Sequence, residues 1–220
     1  MALPDNSPFY MLKLRKFTIR DCFFDIRRLI FDHFSVPPSD SHAHNVIVTG
    51  NPGIGKSCLF HYLLPFFKQE GYTVVYDPPK TQFPTVFQNG KAWRESWNNV
   101  ENLLMDERTV YVVDGKEPGG VPACKVVVLV SNQPRHWKEF FKRGGIRLVM
   151  PTWSEEELEF TRQLVHPEVP KNKMQVYSMC LFFSVLVSHC GYRAGTVSKM
   201  GWHTSLRPSV RFQRTRTNPA

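Results

Sequence analysis

The stretch Gly50-Asn-Pro-Gly-Ile-Gly-Lys-Ser57 constrains this chain more than any other, because it fits the phosphate-binding pattern G-x-x-x-x-G-K-[ST]. A short β-branched run at residues 46–49 precedes it, and an amphipathic stretch follows it. Glycines in such a loop let successive N–H groups point at phosphate oxygens, where a Cβ would obstruct them. The pattern therefore predicts a strand, a phosphate-binding loop and a helix, in that order.

Two side chains of this loop have expected roles in binding a nucleotide. The ammonium group of Lys56 would meet the β- and γ-phosphates, and the hydroxyl of Ser57 would ligate Mg²⁺. The dipole of the following helix favours negative charge at the same point. The alternative is a Gly/Pro turn that precedes Lys-Ser by chance, which the flanking patterns disfavour. We assign the binding of a nucleoside triphosphate, ATP or GTP, to Gly50, Asn51, Pro52, Gly53, Ile54, Gly55, Lys56, Ser57 and Cys58.

Composition limits the class of protein. A chain of 220 residues that is 42% hydrophobic has room for one α/β domain with a real core and a small appendage. The formal charge of +9 at pH 7 is concentrated at one end. Residues 174–220 contain six Lys or Arg and no acidic residue, which leaves 22 basic and 19 acidic side chains in the first 173. The basicity therefore belongs to the tail.

Cysteine usage and hydropathy bear on the compartment. The five cysteines are scattered, with no C-x-x-C pair and no Cys/His cluster at metal-ligand spacing, which indicates a reduced, intracellular protein. The first residues lack the apolar core of a secretory signal. The most apolar run, residues 179–187, is too short to span a bilayer, so no membrane contact is expected.

A second candidate site element is the apolar run 109–113 that ends in Asp114. A buried strand ending in aspartate predicts a Walker B element, whose carboxylate holds the Mg²⁺ shell, usually through water. The alternative is a simple Asp-Gly turn. Many ATPases of this class place a glutamate directly after the aspartate to activate water, but here the position is Gly115, and spacing defines no role for Glu117. Binding is therefore better supported than hydrolysis.

A third element is the strand pattern at residues 125–130, which ends in Ser131 and Asn132. In a parallel sheet these side chains would emerge at the same edge as the phosphate loop, where they would contact the γ-phosphate or position water. A plain loop start fits equally well. The sequence thus gives a candidate catalytic set of Lys56, Asp114, Ser131 and Asn132, and candidate metal ligands Ser57 and Asp114.

The other segments have conventional patterns. Residues 20–34 predict an amphipathic helix that packs on the nucleotide domain with its Arg and Lys side chains in solvent, followed by a linker to residue 44. Residues 57–69 predict a helix that Pro65 kinks or shortens, and residues 73–76 predict a strand. Residues 80–108 look irregular and then helical around 93–104, with Trp93 and Trp97 packed in the core.

Three more elements are expected towards the C-terminus. Residues 136–143 predict a short helix whose Lys138, Lys142 and Arg143 face solvent or phosphate, and residues 146–150 predict a strand. Ser154 and Glu157 fit a capping box that opens a helix running to about residue 164, with its three glutamates solvated. The apolar positions of that helix are Leu158, Phe160 and Leu164.

This order of elements predicts a three-layer, doubly wound α/β domain of the P-loop NTPase type with a mostly parallel sheet. An extra strand between the P-loop strand and the Walker B strand would place it with ATPases of the AAA and STAND kind, by analogy of fold. The expected boundaries are a helical lead-in and linker at 1–44, the P-loop domain at 45–166 and an atypical basic tail at 167–220.

With these motifs in hand, residues 9–164 resemble the P-loop NTPase domain shared by Crinkler effectors and retrotransposon hot spot proteins. The lead-in pieces are Arg15-Lys-Phe17, Arg20-Asp-Cys22 and Asp25-Ile-Arg27. The remaining pieces are Thr49-Gly-Asn-Pro-Gly-Ile-Gly-Lys-Ser57, Thr73-Val-Val-Tyr-Asp77, Val110-Tyr-Val-Val-Asp-Gly115, Val126-Val-Val-Leu-Val-Ser131 and Met150-Pro-Thr-Trp-Ser-Glu-Glu-Glu-Leu158. The Met-Pro-x-Trp piece is the more distinctive.

The resemblance implies an ATP- or GTP-binding domain with Lys56, Ser57 and Asp114 in their usual roles, and a nuclear or host-cell location. The main hypothesis is Mg²⁺-dependent triphosphate binding, with ATP preferred, and slow hydrolysis. One alternative is a non-hydrolysing nucleotide switch, and another is nucleic-acid binding through the basic tail, which would be sensitive to salt. An altered terminus explains the tail at least as well. An arginine acting across an oligomer would come from Arg135, Arg143 or Arg147.

Overall fold

The computed structural model describes residues 17–37, 44–79, 81–119, 122–132, 137–142, 144–165 and 167–171. The basic tail from residue 172 onwards and the first 16 residues lie outside this range. The helices are α1 (Asp21–Ser35), α2 (Lys56–Gln69), α3 (Trp97–Leu104), α4 (Lys138–Phe141) and α5 (Glu155–Val165). The strands are β1 (Asn45–Thr49), β2 (Thr73–Asp77), β3 (Thr85–Gln88), β4 (Lys91–Arg94), β5 (Thr109–Asp114), β6 (Lys125–Val130) and β7 (Ile146–Val149).

The strands form one seven-stranded sheet in the order β4-β3-β2-β5-β6-β1-β7. The five strands from β2 to β7 in this order are parallel, and the hairpin β3–β4 adds two antiparallel strands at one edge. Every residue of β1, β2, β5 and β6 is buried, as expected for the interior of a parallel sheet covered on both faces. The predicted mostly parallel sheet is confirmed, and β6 lies between β1 and β5 in it.

Helices cover both faces of this sheet. On one face, apolar side chains of α1 and α2, such as Phe23, Ile30 and Phe60, pack with Val48 and Val112 in one core cluster. A second cluster on the other face brings α3 and the aromatic residues around α4 against the alternate strand positions. Because successive side chains of a strand point to opposite faces of the sheet, β1, β2, β5 and β6 each contribute side chains to both clusters. The molecule is therefore a three-layer mixed α/β fold.

The parallel strands end at one common edge of the sheet. Because β1, β5 and β6 run in the same direction and are adjacent, the residues that follow them meet there. The register pairs Thr49 with Val130, and Asp114 with Leu129. The loop after β1, the aspartate at the end of β5 and the polar residues after β6 are therefore neighbours in space, although Ser57 and Asp114 are 57 residues apart in sequence and Asn51 and Asn132 are 81 apart.

The prediction for residues 80–108 is wrong in its first half. Residues 85–94 form the hairpin β3–β4, whose turn contains Asn89 and Gly90, both with positive φ (50° and 76°). Asn-Gly between two short apolar runs is a strong hairpin signal. Trp93 consequently lies on the exposed edge strand, 37% accessible, and only Trp97, at the start of α3, packs against the core.

The helices predicted at 57–69 and from Ser154 to about residue 164 are both present, as α2 and α5. Pro65 does not shorten α2, which continues to Gln69, because the turns on both sides of the proline bury apolar side chains. In α5 the capping box is present, with Glu157 N–H donating to Ser154 Oγ at 3.1 Å. Of the three apolar positions, however, only Leu158 is buried, while Phe160 and Leu164 are 58% and 42% exposed.

The short helix α4 covers residues 138–141 of the predicted 136–143, and Lys138 and Lys142 are exposed. Arg143 lies outside the described residues. None of the described helices is long and apolar enough to cross a bilayer.

Candidate functional site: the carboxyl edge of the sheet

The phosphate-loop sequence forms a tight turn between β1 and the first residue of α2. Gly53 and Gly55 have φ values of 80° and 99°, which side chains with a Cβ rarely adopt. Ile54 points inward, is fully buried and packs against Gly50. The Gly55 carbonyl accepts a 2.9 Å bond from Leu59 N–H, so the glycine opens α2 directly. The first-turn amides of a 14-residue helix therefore face the same edge as the loop.

Lys56 is held by its own loop. Its ammonium group donates to the carbonyl oxygens of Gly50 at 2.8 Å and Asn51 at 2.7 Å. Burial lowers the pKa of Lys56 to about 8, and the nearby charge of Asp114 partly opposes that shift. The side chain is thus a partly desolvated cation at the mouth of the loop, and an anion placed there would favour its charged form.

Ser57 and Asp114 meet as the sequence predicted. The Ser57 hydroxyl donates a 2.6 Å hydrogen bond to Asp114 Oδ2, and the Tyr76 hydroxyl donates to the same oxygen at 3.0 Å. Asp114 is 5% exposed. Burial raises the pKa of its carboxyl group, whereas the bonds from Ser57 and Tyr76 and the charge of Lys56 act in the opposite direction. A cation beside this carboxylate would stabilise its ionised form.

The polar residues after β6 also reach the loop. Asn132 Nδ2 donates to Asn51 Oδ1 at 3.2 Å, so Asn132 contacts a residue of the phosphate loop. Ser131 follows β6 directly and is half-buried at the same edge. The structure therefore brings together Lys56, Ser57, Asp114 and Asn132, with Ser131 beside them. Cys58 lies in the first turn of α2, and burial raises the pKa of its thiol, which keeps it protonated at neutral pH.

The segment after Asp114 turns away from the loop. Gly115 has φ of 71° and donates its N–H to the Leu129 carbonyl at 2.8 Å. Lys116 then forms a 2.6 Å ion pair with the buried Asp77 at the end of β2. Tyr111 also donates to Asp77, at 3.1 Å, while Glu117 is exposed. No carboxylate thus occupies the position that directly follows Asp114.

Sequence reasoning missed Arg20. It was predicted to lie on a solvated helix face, yet it is 1% exposed and is among the largest fully buried side chains of the described residues. Its guanidinium donates to Ile54 O in the loop, to the carbonyl groups of Pro151 and Thr152, and to both carboxylate oxygens of Glu157. These partners lie 34 to 137 residues away in sequence, so local periodicity contains no signal for them.

The structure gives no support to the three arginines that were candidates for reaching the nucleotide site of a neighbouring subunit. Arg147 lies in β7, and its guanidinium carbon is 4.9 Å from the centroid of the Trp137 ring, which explains its position by packing. Arg135 and Arg143 lie outside the described residues.

The site has few metal ligands of its own. Within the described part of the chain, no group of three or more His, Cys, Asp or Glu side chains could hold a metal ion. The oxygen donors of Ser57 and Asp114 nevertheless suit Mg²⁺, which keeps several waters and takes substrate phosphates as further ligands. The residues therefore fit a magnesium ion that arrives with a polyphosphate better than one bound by protein alone.

Comparison with known proteins does not identify the chain. No protein-family model matches it, and no curated protein matches it at a significant level.

Proposed function

We propose that this chain is a P-loop NTPase domain that binds Mg²⁺ and a nucleoside triphosphate, with ATP preferred, at the carboxyl edge of its sheet. The observation that carries the proposal is the 2.6 Å hydrogen bond between Ser57, at the start of α2, and Asp114, at the end of β5. A hydroxyl and a carboxylate at these two places are the pair that holds Mg²⁺ in P-loop enzymes. The Crinkler and retrotransposon hot spot membership that the motifs suggest stays a prediction.

Each residue of the site has a task in this proposal. Lys56 would exchange its two loop carbonyls for phosphate oxygens, and the N–H groups of Gly53 and Gly55 would bind the same polyphosphate. Ser57 and Asp114 would hold Mg²⁺, which neutralises charge on the phosphate oxygens. In hydrolysis, a water oxygen forms a bond to the γ-phosphorus, the bond to the bridging oxygen breaks, and the nucleoside diphosphate and phosphate leave. Asn132 or Ser131 would orient that water.

One observation favours a slow enzyme or a nucleotide switch. The residue after Asp114 is Gly115 in a left-handed conformation, and Glu117 is exposed. General-base catalysis contributes about 10²- to 10⁴-fold where a suitable group is in place. Without a glutamate there, we expect turnover well below that of P-loop enzymes that have one, whereas affinity would be unaffected.

The test is a titration of the purified protein with ATP and with GTP in Mg²⁺, together with an assay of phosphate release. Lys56→Ala should remove most of the triphosphate affinity. Lys68→Ala is the matched control, since Lys68 is exposed at the opposite end of the same helix and should bind nucleotide like the unaltered protein. Equal affinity in the Lys56 and Lys68 variants would refute the assignment. Tight binding without phosphate release would favour the switch.

A further inference from the structure

We propose that Arg20 is a positioning residue that holds the phosphate-binding loop in its binding shape by joining the loop to α5. This inference rests on the proposed function for its consequence in nucleotide affinity, but the contacts that carry it are independent of any nucleotide. The Arg20 clamp consists of Arg20, Ile54, Pro151, Thr152, Trp153 and Glu157.

Every donor of the guanidinium is used. Arg20 Nε donates to Glu157 Oε1 at 3.0 Å, and Arg20 Nη2 donates to Glu157 Oε2 at 2.9 Å. Nη1 donates to the carbonyl oxygens of Ile54 and Pro151, both at 3.0 Å, and Nη2 also donates to Thr152 O at 2.8 Å. An arginine has five N–H donors, so five acceptors saturate the group. A lysine, with three donors and no planar fork, cannot reproduce this arrangement.

The face of the guanidinium is also covered. The Arg20 Cζ atom lies 4.4 Å from the centroid of the Trp153 ring, a cation–π geometry. Trp153 also approaches the loop, because a Cβ placed on Gly55 would lie 3.9 Å from Trp153 Cζ2. Trp153 therefore lies close both to the Arg20 guanidinium and to Gly55, the last glycine of the phosphate loop.

The contact to Ile54 is the one that bears on the site. The Ile54 carbonyl lies between Gly53 and Gly55, whose positive φ values give the loop its shape. A buried carbonyl that loses its donor must find another, and the peptide would have to rotate to do so. Rotation of the Ile54–Gly55 peptide would turn the Gly55 N–H, one of the amides assigned to phosphate. Arg20 thus acts on the ligand through the backbone and does not touch it.

The chain contains a matched control on α5. Arg162 donates Nε and Nη2 to the two Glu159 oxygens at 2.9 and 2.7 Å, the same bidentate fork as in the clamp. Both residues lie on α5 and, within the described contacts, neither is hydrogen-bonded to the loop. Arg162→Lys therefore repeats the chemical change of Arg20→Lys without altering the contact to Ile54.

The experiment compares Arg20→Lys, Glu157→Gln and Arg162→Lys with the unaltered protein in two measurements, each made well below the unfolding temperature of the variant. The first is hydrogen exchange of the amides of residues 53–58 without nucleotide. We expect faster exchange in Arg20→Lys, a smaller change in Glu157→Gln and none in Arg162→Lys. The second is the Kd for Mg²⁺-ATP, which should rise about tenfold to a hundredfold in Arg20→Lys.

The two measurements separate the clamp from the proposed function. A merely structural role would lower the unfolding temperature of Arg20→Lys but leave loop exchange and the Kd of the folded protein unchanged, and that result would overturn the inference. Faster loop exchange in a protein that binds no nucleotide, even unaltered, would support the clamp and refute the proposed function. Equal effects of Arg20→Lys and Arg162→Lys would also overturn it.

Discussion

Tyr76 and Asp114 lie at the carboxyl ends of adjacent strands, and the phenol of Tyr76 donates a 3.0 Å hydrogen bond to Asp114 Oδ2. The Tyr76 ring is itself fixed, stacked on Phe60 of α2 with centroids 3.9 Å apart and planes 8° from parallel. The aspartate is therefore held from two elements at once, by Ser57 at the start of α2 and by Tyr76 at the end of β2.

Tyr76→Phe should weaken Mg²⁺-dependent nucleotide binding while keeping the ring stack on Phe60. Loss of one hydrogen bond of this kind is worth about 1 kcal/mol, which corresponds to about a fivefold increase in Kd. Tyr111→Phe is the matched control, because it removes the equivalent phenol from Asp77 on the other face of the sheet. We expect both variants to lose similar stability in urea and only Tyr76→Phe to change the Kd. An equal change in Kd for both would contradict the role of Tyr76.

The affinity for triphosphate should fall as pH rises above about 8. Burial lowers the pKa of Lys56 to about 8 in the free protein, and bound phosphate would raise it again, so binding takes up a proton. Affinity should then fall by up to about tenfold per pH unit above 8, until the pKa of the complex is reached. Titrations from pH 7.5 to 9.5 measure this. Lys56→Met should bind weakly with no such slope, and a slope that persists in this variant would assign the proton to another group.

Gly115→Ala should destabilise the fold. The residue has φ of 71°, and a Cβ there would lie 3.4 Å from Pro79 Cβ. A left-handed conformation costs a residue with a side chain about 1 to 2 kcal/mol, and we expect a loss of that size in the free energy of unfolding. Gly119→Ala is the control, since Gly119 is exposed and a Cβ there would meet no atom within 4 Å. A glutamate at position 115 would carry the same backbone strain, so we do not expect Gly115→Glu to restore fast hydrolysis.

Acid should destabilise the protein through His61. This side chain of α2 is 5% exposed, and burial lowers its pKa to about 4 from an ordinary value of 6.5. The unfolded state therefore binds a proton first, and stability is lost as pH falls from 6.5 towards 4. Between pH 7 and pH 5 the loss should be about 2 kcal/mol in urea unfolding. His61→Phe isolates this effect, and an equal loss in the variant would attribute the acid sensitivity to other groups.

Much of the site could be predicted because it depends on local signals and one rule of topology. The β-branched run before Gly50 and the apolar run before Asp114 define two buried strands, and parallel strands end at the same edge. From these facts alone Ser57 and Asp114 were expected to meet, and Asn132 to lie near the loop. The geometry agrees, although the nucleotide itself stays a prediction.

The misses have physical causes. Trp93 and Trp97 have helical spacing, which favoured a helix there, whereas the turn at Asn89 and Gly90 places Trp93 in a hairpin strand. Arg20 looked like any basic residue on an amphipathic helix, since its five acceptors come from distant parts of the chain. The spacing of apolar residues shows which face of a helix is buried. It does not show that a basic side chain at the end of that helix, such as Arg20, is buried by elements from distant parts of the chain.

The exposed edge of the hairpin β3–β4 bears on whether copies of the protein pair with one another at high concentration. Among the described strands β4 is the last of the sheet, and all four of its residues are exposed, so its outer backbone groups can pair with another strand. Lys91 and Arg94 stand at its two ends, and two copies that met edge to edge would bring these positive charges together. The repulsion opposes intermolecular strand pairing, and it weakens as salt screens it. Replacing both cations with threonine should therefore promote aggregation.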